Sequence, residues 1–179
     1  KAIQDQAERF IHISSDYYHE PWVSLGEQLT RIAPFDEQAI SFMTNSGTES
    51  IEAAIKLARY YTGRSQFIGF LGAFHGRTYG SMTLSASKLT HRDHFGPLVP
   101  MVTHSPYPYC YRCPFDKEYP GCDMYCMKSF ERLLDSKESP YTDGANGINN
   151  VAAIIASPFQ SSAGYYIPPV EYLKELRRI

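Results

Sequence analysis

The chain has 179 residues, of which 43% are hydrophobic and 20% charged, with a net charge of −2. These values fit a globular domain with a real core and give no electrostatic case for nucleic acid or an anionic membrane as partner. The longest purely apolar run, Val151 to Ala156, is far too short to span a bilayer, and no signal-like stretch follows Lys1, so a cytoplasmic protein is expected.

In chain order, Lys1 to Phe10 begins inside an amphipathic pattern with no capping residue ahead of it. Trp22 to Ile32 reads as a helix with Leu25, Leu29 and Ile32 on one side, ended by Pro34. Ala39 to Thr44 reads as a short buried strand. Gly47 to Thr62 is the clearest helix. Its inner stripe is Ile51, Ile55, Ala58 and Tyr61 or Thr62, with Glu52, Lys56 and Arg59 directed elsewhere. Gly63 is placed to end it in a left-handed conformation.

Gln66 to Leu71, Leu98 to Thr103 and Val151 to Ala156 read as further strands, and Met124 to Leu134 as a helix. Gly72 to Gly80 is a Gly-punctuated loop. Residues 105–126 form a Pro-, Tyr- and Cys-rich excursion, and residues 140–150 a polar loop. Val170, Leu173, Leu176 and Ile179 mark a closing helix with no Gly, Asn or Pro to stop it. Both ends are therefore expected to be cut from a longer chain. Strands alternating with helices predict α/β layers, with a mostly parallel sheet and flanking helices.

Two loops carry the candidate chemistry. Ser46-Gly47-Thr48-Glu49 fits a capping box, which accounts for Ser46 and Glu49 but not for Gly47 and Thr48. Glycine admits a close neighbour, Thr48 adds a hydroxyl, and a helix start after a strand favours an anion. No P-loop or dinucleotide fingerprint is present, so the phosphate of something other than a nucleotide is the better candidate. Gly72 to Thr78 follows the next strand and would face the same crevice. There Phe74 offers a flat ring for stacking and His75 a polar tip. Taken on the residues alone, Phe74 as a core residue and His75 as a loop hydrogen-bonder is the favoured reading.

The stretches "NSGTESIEAAIKLARYYTGR" and "GAFHGRT", with "FGPLVP", "PYPYCYRCPF" and "IPPVEYLKELRRI" in order, resemble the class III pyridoxal-phosphate-dependent aminotransferases. Among these the 4-aminobutyrate and acetylornithine/ornithine branches are nearest in pattern. The resemblance implies part of the large domain of the fold-type I transferases over residues 1–179. It implies a homodimer, pyridoxal 5'-phosphate held by Ser46, Gly47 and Thr48, and a cofactor ring stacked on Phe74 beside His75. It also implies transfer of an amino group to a 2-oxo acid, with 4-aminobutyrate or another omega-amino acid as expected donor; a racemase or decarboxylase of the same family is the alternative.

The Schiff-base lysine and the aspartate at the pyridine nitrogen fall outside this chain by the same resemblance, so no catalytic residue is assigned within it. These residues alone are expected to be inactive and loosely folded, because strands of the parent sheet would be missing between those present. One departure lies inside the chain. Relatives read Glu-Pro-x-Gln-Gly-Glu where this chain has Ser157, Pro158, Phe159, Gln160, Ser161 and Ser162, which removes two carboxylates near the expected site and leaves the amino donor open.

Cys110, Cys113, Cys122 and Cys126 could form a metal knuckle, and a noncatalytic phosphate- or metal-binding module centred on them is a second reading. Their spacing is not that of a standard finger. Reduced structural thiols are expected instead, with no metal ligand assigned.

Overall fold

Gln66–Phe70 is buried at every position, because it is the middle strand of a parallel sheet covered on both faces. The computed structural model describes residues 1–35, 38–139, 141–143 and 148–179. Its helices and strands in chain order are Ala2–Arg9 (α1), Glu20–Ile32 (α2), Gly47–Thr62 (α3), Gln66–Phe70 (β1), Tyr79–Leu84 (α4), Val102–Ser105 (β2), Tyr125–Asp135 (α5), Thr142–Asp143 (β3), Ile148–Asn149 (β4), Val151–Ile154 (β5) and Val170–Arg178 (α6). Residues Lys1–Met43 form one unit and Thr44–Ile179 another.

In the second unit the sheet order is β2-β1-β5, all parallel. Side chains on β1 alternate. Phe67 joins Ile55 of α3 and Leu84 of α4 on one face, with Ile51, Ala58 and Val102 around them. Gly69 points the same way; a Cβ there would press on the Leu84 carbonyl at 3.2 Å. Ile68 and Phe70 face the other way, onto Met127, Phe130 and Leu134 of α5 and Tyr172 of α6. The result is a helix–sheet–helix sandwich in which each buried Phe, Ile or Leu contributes about 1.5–3 kcal/mol. A separate antiparallel pair, β3 with β4, lies within the expected polar loop. Pro140 and residues 144–147 of that loop lie outside the described residues.

The first unit carries α1 and α2, neither with a buried residue. The His19 ring nitrogen accepts from the Trp22 amide at 3.4 Å, and Pro21 opens the first turn of α2.

Several expectations need correcting. Ala39 to Thr44 is not a strand. Ile40 and Phe42 are exposed while Ala39, Ser41 and Met43 are half-buried, so the alternation is real, but no described strand pairs with it. A ladder needs a neighbour as well as a pattern. The strand expected at Leu98 to Thr103 lies at Val102–Ser105, after a cis Gly96–Pro97 bond and a left-handed Met101. The end of the Gly-rich loop is helical, as α4. On α3, Tyr61 and Thr62 are both exposed rather than in the inner stripe. Arg59 lies over the Phe67 ring at 5.3 Å instead of pointing away. On α6 the fully buried residue is Tyr172, with Leu173 and Leu176 beside it, while Val170 is exposed.

Candidate functional site

The start of α3 is built by its own residues. Ser46 is extended, and its hydroxyl accepts from the Glu49 amide at 3.3 Å. The Glu49 carboxylate turns back to accept from the Asn45 amide at 2.7 Å. The capping box is thus closed. The Gly47 and Thr48 amides, next in the first turn, make no hydrogen bond among the described residues. Two free N–H groups at the positive end of a sixteen-residue helix remain open to a ligand.

They open onto a cleft of about 600 Å³ lined by Ser46, Gly47, Thr48, Ile51, Phe74, His75, Gly76 and Arg77. The five residues singled out from the sequence therefore meet in one place. The loop after β1 is pinned to the end of α4. Gly72 N–H donates to the Ala86 carbonyl at 3.1 Å, Ala86 N–H to the Ala73 carbonyl at 2.8 Å, and His75 N–H to the Ser85 hydroxyl at 2.8 Å. Phe74 meets the His91 ring edge-on at 5.0 Å and has the Arg77 guanidinium 5.9 Å from its centre. Arg77 brings a cation to the cleft. It stands two residues beyond His75 in the same loop, which is the signal that could have found it.

The His75 Nε2 atom is buried without a partner among the described residues. Burial, and then the neighbouring His104, lower the His75 pKa below its ordinary 6.5. His104 is lowered too, by burial first, against a hydrogen bond to the Leu84 carbonyl that favours the protonated ring. Both imidazoles therefore favour the neutral form at neutral pH.

The Thr48 side chain behaves otherwise than the sequence suggests. Its hydroxyl lies 2.8 Å from that of Thr78 and also reaches Ser81 on α4. Gly76 lies against this pair with φ +143°; a Cβ there would come within 2.5 Å of the Ser81 hydroxyl. Glu52, read from the sequence as pointing away, accepts from the Thr78 hydroxyl and from the Ser81 amide at 3.0 Å.

Ser157 and Ser162 do not line this cleft. The Ser157 carbonyl accepts from the Tyr107 hydroxyl at 2.9 Å, and burial pushes the Tyr107 pKa up to about 12. Gln160, between the serines, is 2% exposed, and neither end of its carboxamide has a partner among the described residues. It lies over Gly72, whose φ of +88° and lack of a side chain make room for it. The four cysteines are free thiols lining one small cavity of about 20 Å³. Burial raises the pKa of Cys110 and Cys126. Among the described residues, no group of three His, Cys, Asp or Glu side chains is arranged to hold a metal ion.

The structure is an α/β fold with a parallel sheet, in which a helix start and an aromatic loop meet beyond the central strand, where open α/β sheets have their crevice. The chain belongs to the class-III aminotransferase family, whose profile it matches over residues 1–179. It is 39% identical to the leucine/methionine racemase of Thermococcus litoralis, over 100% of this chain and 38% of that protein. It is 37% identical to the acetylornithine aminotransferase of Methanopyrus kandleri, over 100% and 38%, and 30% identical to a probable 4-aminobutyrate aminotransferase of Bacillus subtilis, over 98% and 39%. The chain thus spans under two-fifths of the length of these relatives. In fold it superposes on an amine transaminase from an uncultivated Pseudomonas species with a TM-score of 0.81, at 24% identity over 99% of this chain and 40% of the other. Among the described residues no helix is long and apolar enough to cross a membrane.

Proposed function

We propose that this chain is part of a pyridoxal 5'-phosphate-dependent enzyme that moves an amino group from an amino acid to a 2-oxo acid. The observation that carries the reading is the pair of unshared amides at Gly47 and Thr48, facing Phe74 across one cleft, in a chain of this family. The residues fit the cofactor. Its phosphate would take the Gly47 and Thr48 amides and the Ser46 hydroxyl, whose proton stays free while its oxygen accepts from Glu49. Phe74 offers a flat apolar face to the ring, and the orphaned His75 nitrogen a polar contact beside it. Once bound, the cofactor supplies the electron sink for carbanion chemistry. The protein's part is to hold and orient it.

None of the cleft-lining residues is a lysine. The bonding lysine and the pyridine-nitrogen aspartate would come from elsewhere in the intact protein, a cytoplasmic homodimer on this reading, and these 179 residues alone would not turn over. An omega-amino acid such as 4-aminobutyrate remains the proposed donor. A racemase is the second reading. It is favoured by the 39% identity to the leucine/methionine racemase.

The test uses the intact protein. Titration with pyridoxal 5'-phosphate, followed by absorbance, should show saturable binding that inorganic phosphate weakens and Phe74→Ala reduces. Supplying an amino donor and 2-oxoglutarate should then produce glutamate. Exchange of the α-hydrogen of leucine or methionine in deuterium oxide, with no consumption of the 2-oxo acid, would replace transamination by racemisation. Failure to bind the cofactor would remove both.

A further inference from the structure

We propose that Glu52 is a positioning residue for this cleft: its carboxylate holds the Thr78 hydroxyl and the Ser81 amide, through Thr78 turns the Thr48 hydroxyl inward, and clamps the Gly76 loop onto α3, leaving the anion to the helix amides. The inference rests on the reading above, that the cleft holds a cofactor phosphate.

The direction of the hydrogen bonds follows from valence. A carboxylate only accepts, so the Thr78 hydroxyl must donate to Glu52. A hydroxyl has one proton. The Thr78 oxygen can therefore only accept from its other neighbours, Thr48 at 2.8 Å and Ser81 at 3.0 Å. The Thr48 oxygen already receives the Thr78 amide at 3.4 Å, and its own proton has two acceptors close by, the oxygens of Thr78 and Ser81. Both lie toward the α3–α4 seam. The same Glu52 oxygen that takes the Thr78 hydroxyl also takes the Ser81 amide at 3.0 Å, which ties the start of α4 to the second turn of α3.

The loop that carries Phe74, His75 and Arg77 hangs on this network. Gly76 packs directly on the Thr48 and Ser81 hydroxyls, and Gly80 directly on the Glu52 carboxylate; a side chain at either position would collide. Remove the carboxylate, and Thr78 and Ser81 lose the acceptor that orders them. Thr48 can then turn, and the far wall of the cleft loses its register with the α3 amides. Hydrogen bonds to a charged acceptor are among the stronger ones.

Glu52→Ala, Glu52→Gln, Thr48→Val and the double variant Glu52→Ala/Thr48→Val decide the matter in the intact protein. Each is titrated with pyridoxal 5'-phosphate and with pyridoxal, which lacks the phosphate. Glu52→Ala should weaken binding of the phosphorylated form by about tenfold, the scale of one lost hydrogen bond, and leave pyridoxal nearly unchanged. Glu52→Gln keeps an acceptor oxygen in place and should recover most of the loss. The double variant should bind about as well as the weaker single one, because the residues act through one network. Wild-type binding by Glu52→Ala would overturn the proposal. So would equal loss for both ligands with a matching drop in the melting temperature of the cofactor-free protein, which marks a merely structural role. If Glu52→Ala does not fold, Thr78→Val removes the same bond and is read by the same ratio. A wild-type protein that binds neither ligand would refute the cofactor reading itself, and this proposal with it.

Discussion

Helices α3 and α4 lie side by side at the cleft and are made in opposite ways. α3 has sixteen residues, a closed capping box at Ser46 and Glu49, a left-handed Gly63 at its end, and Ile55 as its one buried residue. α4 has six residues, no side-chain cap, and five of the six buried. The first helix is specified by its own sequence and lends an inner stripe to the core. The second is too short to persist by itself and exists because Phe67, Glu52 and Ser105's strand surround it. A binding site that needs a fixed helix start and a fixed loop obtains the first from local signals and the second from contacts with distant residues.

The largest break in that comparison should come from the cores of the two helices. Leu84→Ala on α4 removes a fully buried side chain from the Ile55–Phe67 cluster and should cost about 2–5 kcal/mol. Leu57→Ala on α3, at 68% exposure, should stay within about 0.5 kcal/mol. Urea unfolding of the two variants gives both numbers; similar losses would mean that α4 is not the dependent partner.

A smaller effect sharpens the other side. Ser46→Ala removes the α3 cap and should cost about 1 kcal/mol, with Ser46→Gly costing only a few tenths. Equal costs for Ala and Gly would show that the lost hydroxyl alone sets the cost and that the extended backbone, which glycine adopts freely, adds nothing at the helix start.

The smallest effect is electrostatic. His75 and His104 both have pKa values below 6.5 in the folded protein, by burial above all. The folded state thus binds protons less readily than the unfolded state. Their contribution is fully present above about pH 6.5 and is lost as pH falls from there through the folded values. Urea midpoints should decline across that window, and His104→Gln should flatten the decline. A midpoint that rises on acidification would contradict the burial of these rings.

Much of the site could be read directly. The Ser46–Glu49 box, the Gly63 stop and the loop around Phe74 are written in adjacent residues, but the rule that loops after parallel strands face one crevice was applied to a strand at Ala39 to Thr44 that the structure does not form. Other features could not be read. Ala39 to Thr44 has the alternation of a strand but no described neighbour to pair with. Glu52 has the spacing of a solvent-facing residue, yet its partners lie 26 to 29 residues away. The Thr48 hydroxyl looked like a ligand donor until its neighbours were known.

By itself the sequence determined the α/β alternation, the amphipathic α3 with both its caps, and a family pattern extending over the chain. These depend on periodicity and on turn residues acting over a few positions, so they survive without knowledge of the rest. Only the tertiary structure decided which extended segments became strands, that Tyr79–Leu84 became a helix, and where each hydroxyl proton points. Those outcomes depend on which acceptor or apolar surface the fold brings near, and a single hydrogen-bond partner from another element is enough to reverse them.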